Sequence, residues 1–370
     1  IPSTSPQLTL FFQFALALVF AVALWLATAR GSVLPKTSSS VLALAVLFTT
    51  SVKNGVILLV IAFLVSPMGL PLAAAFGALT LVTALLFVRR QQRASNPLYD
   101  LTIASRRLFW VAAVAGIIVF GTLMGTMYIG QQFLQNVLHY TTLAAGAAVL
   151  PSSVAMVLVA GLSARLVVRS GSRSTLLIGF ACIAAGFVAM LLLWGEQTGY
   201  WAIALAYVLI GLGVGFAGTP ASHSLTASVP VHRAGMASGT ADLQRDLGGA
   251  VMQSVLGVLL TVGYASAMGA AIAGAPNANQ INDTVQTQLE KSFAGAESVA
   301  RQYPQYSDAI QSAARAAFLH GANWAYAAGI LAMVVGALVT WFWYPGKAGE
   351  AADLAEYARA DEQTPAAASR

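Results

Sequence analysis

Charged residues are scarce in this chain, and their scarcity limits the class of protein it can be. Lysine, arginine, aspartate and glutamate make up 9% of the 370 residues, against about 25% in a typical soluble domain. Hydrophobic residues make up 58%, and they fall in blocks of about 20, the length that crosses the hydrocarbon of a bilayer as a helix. The composition therefore excludes an ordinary soluble protein and predicts an all-α integral membrane protein.

Several patterns that carry chemistry are also missing. The single cysteine, Cys182, excludes an intramolecular disulfide and a cluster of thiolate metal ligands. The four histidines lie far apart in the sequence, no phosphate-binding P-loop occurs, and no Ser/His/Asp arrangement stands out. We therefore expect no metal, no cofactor and no enzymatic activity, and ATP-driven transport would need another subunit.

Nine apolar runs are long enough to span a membrane, and a helix is predicted for each. The predicted spans are residues 8–28, 41–65, 70–88, 108–133, 145–168, 175–194, 201–222, 234–264 and 322–344. The chain begins at Ile1 with neither a basic segment nor a cleavage site ahead of the first run, so that run is predicted as a span rather than a signal peptide. We expect the chain to be part of a longer protein.

The distribution of basic residues predicts the orientation of these spans. If the connection after the first span is cytoplasmic, fourteen Lys and Arg residues lie inside and three lie outside, namely Lys291, Arg301 and Arg315. An excess of Lys and Arg is typical of cytoplasmic loops. It explains the net charge of +6, so the charge does not require a nucleic-acid partner. A cytoplasmic C-terminus follows. Trp324 and Tyr326 would then mark the outer interface of the last span.

The long outside loop 265–321 and the tail carry the remaining extramembrane sequence. Ile281, Val285, Leu289 and Phe293 recur every four residues and predict an amphipathic helix, which Pro304 ends. Ser307 and Asp308 are predicted to cap a helix that runs into the last span. The loop is either a helical spacer on the membrane surface or an external lid or partner contact. The Ala- and charge-rich tail after residue 349 is predicted to be disordered.

Charged residues inside the spans are costly, about 2.5–3.5 kcal/mol each at mid-membrane, and they therefore mark candidate sites. Asp242 and Arg245 are three residues apart, and Asp246 lies one turn beyond Asp242, so the three can share one face of a helix. They are candidates for a structural lock, a gate or a proton-linked ion pair. Lys53, in the second span, is either a candidate of the same kind or a lysine that reaches water at a helix break.

A polar and methionine-rich stripe lies late in the fourth span. Flexible thioethers and uncharged amides suit a promiscuous substrate cavity, although helix packing explains the pattern equally well. The stripe consists of Met124, Met127, Tyr128, Gln131, Gln132 and Gln135. By contrast, the G-x-G-x-x-G match at residues 213–218 lies inside an apolar span with no strand before it. It predicts close helix packing rather than a dinucleotide site.

Four segments resemble conserved motifs of the major facilitator superfamily, in particular its fourteen-span drug:proton antiporter-2 branch. They are NPLYDL at 96–101, FLQNVLHY with the AAG and LP that follow at 133–151, GLSARLVVRSGSR at 161–173, and RAGMASG with RDLGG at 233–249. The family's loop acid is absent, because Val167 and Val168 precede Arg169. The usual Asn and Gln of the last motif are Asp242 and Asp246 here.

The resemblance implies a domain organisation and a function. Residues 1–107 would hold the last helix of the N-terminal half and two linker helices, 108–345 the six-helix C-terminal half, and 346–370 a cytoplasmic tail. The intact protein would export drug-like or lipophilic, often cationic, solutes in exchange for protons, with a periplasmic adaptor as a further possible partner. The alternatives are export of one metabolite or lipid, or a membrane scaffold or enzyme. The arginines expected to shape the cytoplasmic gate are Arg165, Arg169 and Arg173.

Overall fold

The computed structural model describes residues 69–93, 97, 99–275 and 281–363, and these residues form helices joined by short connections, with no strand among them. The helices are α1 Gly69–Arg93, α2 Leu101–Ala104, α3 Arg107–Gln132, α4 Thr142–Ala147, α5 Leu150–Ser170, α6 Ser172–Leu193, α7 Tyr200–Ala227, α8 Ala234–Ala273, α9 Asp283–Lys291, α10 Phe293–Gln302, α11 Ser307–Trp343 and α12 Lys347–Gln363. A π-helical turn, Phe133–Val137, prolongs α3, and short 3₁₀ turns precede α8 and α11.

Six helical stretches in the described part of the chain are long and apolar enough to cross a membrane. They are built on α3, α5, α6, α7, α8 and α11, and each matches one of the last six predicted spans, with the ends of the spans at 175–194 and 322–344 lying one residue beyond the helix. Helix α1 covers the third predicted span. The spans predicted at 8–28 and 41–65, together with Lys53, lie outside the described residues. The prediction of an all-α membrane protein is confirmed.

The six long helices form one bundle with a continuous apolar core. Helix α3 packs against α7, α8 and α11, while α6 packs between α7 and α11 and α5 lies along α7. Aromatic side chains dominate the centre, and the largest fully buried ones are Tyr207, Tyr326, Tyr344, Phe109, Phe133, Phe180 and Phe187.

Glycines allow the closest helix contacts in this bundle. A Cβ on Gly121 of α3 would fall on the backbone of Gly248 of α8, and a Cβ on Gly248 would fall on the carbonyl of Ile117. Gly213 of the G-x-G-x-x-G match lies against α6, and Gly215 lies against the backbone of Met156 on α5. The match therefore serves helix packing, as predicted, because small residues let backbones approach closely within a membrane.

Helices α8 and α11 are longer than a membrane crossing. Helix α8 has 40 residues and α11 has 37, so each is about 55–60 Å long at 1.5 Å per residue, roughly twice the hydrocarbon thickness. Much of the predicted loop 265–321 is therefore helix. The amphipathic segment is divided into α9 and α10 because Ser292 is extended and caps α10. The predicted cap at Ser307 does not form. Ser307 is the first residue of α11 rather than its N-cap, the N-cap position is taken by Tyr306, and no side chain makes a capping hydrogen bond there, so this detail of the prediction is wrong.

The tail is the clearest departure from expectation. Residues 347–363 form α12 rather than a disordered segment. The Glu350 carboxylate is buried and accepts hydrogen bonds from the Ser172 backbone nitrogen at 3.0 Å and from the Ser172 hydroxyl at 2.5 Å, where the N-terminus of α6 favours a negative charge. Asp361 receives two hydrogen bonds from the Arg106 guanidinium at 3.1 and 2.5 Å. The centre of the Tyr357 ring lies 4.8 Å from the same guanidinium.

Candidate functional site

The predicted polar stripe lies on one face of α3, where α3 passes into the π-helical turn. Met124, Tyr128, Gln131 and Gln135 are spaced four, three and four residues apart, so they follow one side of the helix. Met124 and Tyr128 are exposed, whereas the glutamines are half-buried. The extra residue per turn of a π-helix changes which side chains follow the stripe, and such turns are frequent at functional sites.

Most of the stripe lines one cavity of about 380 Å³. Met127, Tyr128, Gln131, Gln132 and Gln135 form its α3 wall. The structure therefore brings together five of the six residues predicted for a substrate cavity. Met124 lies outside the lining and instead packs near Gly249 of α8.

Two further side chains complete the cavity and were not predicted. Asn136, in the π-helical turn, extends the stripe by one residue, and Gln253 enters from α8. The Gln253 side-chain nitrogen lies 3.4 Å from the Met124 carbonyl, which it can reach as a donor. Gln253 lies seven residues after Asp246 and therefore on the same face of α8, but this spacing does not show that the face meets α3.

The cavity walls combine fixed and available amide groups. The Gln131 side-chain nitrogen donates to the Ala145 carbonyl at 2.9 Å, and its oxygen accepts from Gln135 at 3.3 Å. The first bond joins α3 to α4, and the second holds Gln135 beside Gln131 along the wall. None of the described side chains that line the cavity is charged. The surface offers uncharged hydrogen-bonding groups, one thioether and the aromatic face of Tyr128, which attracts cations.

The predicted ion pair on α8 forms, and it lies at the surface of the described bundle. The Arg245 guanidinium is 3.0 Å from the Asp242 carboxylate, with side chains 51% and 71% exposed. The same guanidinium lies 5.2 Å from the centre of the Phe120 ring of α3. Asp246 is also exposed, on the next turn. The role of this cluster as lock, gate or proton carrier stays a prediction.

Gln244, which the sequence argument passed over, holds α8 to α3 beside that cluster. Its side-chain nitrogen donates to the carbonyls of Ala112 and Ala113 at 2.8 and 3.1 Å, and the side chain is almost fully buried. It lies against Gly116, where a Cβ would meet the amide. A polar residue inside an apolar span, between the acidic and basic members of the cluster, was the available signal.

The three arginines proposed for the cytoplasmic gate are arranged around the turn between α5 and α6. Arg165 and Arg169 are exposed, and the Arg169 carbonyl accepts a hydrogen bond from the Lys347 ammonium of α12 at 3.2 Å. The Arg173 guanidinium lies 4.7 Å from the centre of the Trp341 ring of α11. The structure thus places Arg169 in contact with α12 and Arg173 in contact with α11, while their gating role stays a prediction.

Gly171 makes that turn possible. Its φ is +86°, a conformation that glycine adopts at low cost, and a Cβ here would lie 3.2 Å from the Cα of Lys347. The turn that joins α5 to α6 and the docking of α12 on it therefore both depend on this glycine.

Comparison with known proteins gives three kinds of match. A family of unknown function, DUF5699, matches residues 34–86. The multidrug resistance protein Stp of Mycobacterium tuberculosis is 35% identical over 175 residues, which is 47% of this chain and 32% of Stp. The multidrug efflux pump LfrA of Mycolicibacterium smegmatis is 33% identical over 195 residues, which is 52% of this chain and 38% of LfrA. The resemblance to the major facilitator superfamily is confirmed.

The similarity to these superfamily transporters is partial in length. The matched part of the chain spans about a third of the length of these curated relatives, 32% of Stp and 38% of LfrA. Among solved structures, a bacterial homologue of the human lysosomal transporter Spinster, in an inward-facing and unoccupied conformation, matches with a TM-score of 0.47 and 14% identity. That match covers 87% of this chain and 70% of the other.

Proposed function

We propose that the intact protein is a secondary transporter that exports drug-like or lipophilic, often cationic, solutes in exchange for protons. The chain described here would supply the C-terminal six-helix half and the linker helices of a fourteen-span antiporter. The two halves would rock about a central cavity near the middle of the membrane. The protein would lie in the inner membrane with α12 on the cytoplasmic side, as the distribution of basic residues indicates.

The cavity on α3 and α8 is the observation that carries this proposal. It joins a thioether, an aromatic ring, four glutamines and one asparagine at one surface of the bundle. An uncharged lining of this kind binds varied solutes, because methionine adapts to different shapes and amides form hydrogen bonds without a fixed charge. Tyr128 adds an aromatic face for a cationic group. The names of Stp and LfrA, a multidrug resistance protein and a multidrug efflux pump, support the same substrate class.

The contacts of α12 suggest how the cytoplasmic end would take part. Arg106, Ser172 and Lys347 join α12 to the ends of α3, α6 and α5 through polar contacts. One polar contact can be exchanged for another as the helices rock, whereas a packed apolar core resists such a rearrangement. The cytoplasmic gate would therefore open by rearranging this network and the neighbouring arginines.

The test is efflux of a cationic dye from cells that lack other pumps and carry the intact gene, with and without a protonophore. We expect dye to leave the cells faster than from cells without the gene, and the protonophore to abolish the difference. A protein that reaches the membrane and exports no dye would contradict the proposed substrate class and favour a single metabolite or lipid as substrate. Efflux that survives the protonophore would contradict proton antiport but would leave the proposed substrate class standing.

A further inference from the structure

A second and larger cavity lies at the opposite end of the bundle from α12. It has a volume of about 650 Å³, is open to the surface on one side, and is lined by the projecting ends of α8 and α11 together with α9 and α10. Because α8 and α11 are each about twice as long as a membrane crossing, their ends here extend beyond the hydrocarbon. This cavity is distinct from the one on α3, with which it shares no lining residue.

The floor of the cavity is apolar and fully formed. Met268 and Ile272 of α8, Leu289 of α9 and Val299 of α10 are each less than 9% exposed. Asn282 and the tyrosines Tyr303 and Tyr306 lie towards the rim. None of the described side chains that line the cavity carries a charge. An ion would therefore find no partner to replace its hydration, whereas an apolar molecule would bury its surface against the floor.

Several interactions keep this cavity from collapsing onto α8. The buried Tyr264 hydroxyl of α8 donates to the Leu289 carbonyl at 3.1 Å and holds α9 in place. Asn282 caps α9 through the Val285 nitrogen at 2.8 Å. The Phe293 and Phe318 rings meet edge to face at 6.3 Å and fix α10 against α11. A site whose walls are held in advance loses little free energy to ordering when a ligand binds.

We propose that this cavity is a binding site for an uncharged, largely apolar small molecule on the extracytoplasmic side. Its volume falls within the range of about 300–1,000 Å³ that is usual for small-molecule pockets, and its lining is apolar with a few polar groups at the rim. The assignment to the extracytoplasmic side rests on the orientation given under the proposed function. The chemistry of the site does not depend on that orientation.

The test is a fluorescence titration of the purified intact protein in lipid nanodiscs with N-phenyl-1-naphthylamine, an uncharged probe that brightens in apolar surroundings. We expect a saturable component above the linear background of lipid partitioning. Ala313→Trp places an indole in the cavity, because Ala313 lines it from α11, and should weaken the saturable component about tenfold, which corresponds to about 1.4 kcal/mol. Ala316→Trp, on the exposed surface of the same helix, should leave it unchanged.

Two more variants keep the result interpretable. Ala309→Trp fills the same cavity from an exposed position and should act like Ala313→Trp even if the latter lowers the yield of folded protein. Gln132→Trp fills the cavity on α3 and should leave the component intact. A component that is absent from the unsubstituted protein, insensitive to both cavity-filling variants, or removed by Gln132→Trp would overturn the proposal. The proposed transport is judged separately, by dye efflux from cells that carry the unsubstituted protein.

Discussion

The two sides of the bundle are built differently. On one side α6 meets α11 through aromatic rings set into glycine notches: Phe187 lies against Gly329 and Phe180 against Gly336, so that a Cβ on either glycine would meet the ring. Both rings are at most 1% exposed. On the other side α3 and α8 touch through glycine backbones, and their outer surfaces carry the glutamines and the ion pair of Asp242.

The difference indicates which side is complete within this chain. Rings in notches fill space at the density of a protein interior, so the α6–α11 side has no need of another partner. The α3–α8 side leaves polar groups at a membrane-spanning surface, where they are costly unless they face protein or a water-filled cavity. If the proposed function is correct, the other half of the transporter and the substrate pathway lie against α3 and α8.

The largest effect on stability is expected where α6 meets α11. Phe187→Ala should remove the ring that fills the Gly329 notch and lower the free energy of unfolding by about 3–5 kcal/mol, because the surroundings cannot close the void. Thermal unfolding of the purified intact protein measures it. Leu192→Ala, on the same helix but 73% exposed, should change little, and equal losses for the two variants would show that the contact is not a packed notch.

The glycine contact between α3 and α8 comes next. Gly248→Val should destabilise the protein by about 1–3 kcal/mol, because the new side chain would displace α3 at the Ile117 carbonyl. Gly239→Val lies on the same helix with nothing within 4 Å of the added Cβ and serves as the control in the same unfolding assay. If Gly248→Val were as stable as Gly239→Val, α3 and α8 would not be in close contact.

The cavity side chains should affect transport more than folding. Gln132→Ala and Met127→Ala each remove a wall group of the α3 cavity and should change dye efflux by about fivefold, the effect of one hydrogen bond or a comparable contact of about 1 kcal/mol. Initial efflux rates for several dyes measure this, normalised to protein in the membrane. Leu158→Ala, on the exposed surface of α5, is the control. Unaltered efflux of every dye would remove the stripe from the substrate pathway.

The smallest change in stability is expected at the exposed ion pair. Asp242→Asn should alter the free energy of unfolding by less than about 1 kcal/mol, because exposed pairs contribute little, while a gate or proton-linked pair would still slow proton-driven efflux. Both quantities are measured on the same variant, with Asp308→Asn on α11 as the control. Efflux equal to that of the unsubstituted protein would end the case for a functional pair at Asp242.

The positions of the helices were easier to predict from the sequence than the sides on which the helices pack against one another. Apolar runs of span length located the six long helices, since lipid requires such runs. Tyr326 shows what a linear pattern misses: expected at the outer interface, it is 1% exposed and packs 6.0 Å from Trp194 and 6.4 Å from Phe187. Which side of a helix meets a neighbour depends on residues more than a hundred positions away.

Long-range contacts also explain the failure at the tail. The composition after residue 349 is poor in apolar groups, which is typical of disorder, yet Glu350 bonds to Ser172, 178 positions earlier. The stripe on α3 was predictable because its members are close in sequence. Gln253 was missed because it joins the cavity from α8, and only the approach of α8 to α3 brings it there.

Substrate protection of the α3 cavity tests the central claim most directly. Gln132→Cys would be introduced into an intact protein freed of other cysteines, with Cys182 replaced by Ser, and labelled with a maleimide in the presence and absence of a dye that the protein exports. Saturating dye should slow labelling at position 132 and leave a Ser312→Cys control, exposed on α11, unchanged. Equal labelling rates at position 132 with and without dye would contradict a substrate pathway along α3 and α8.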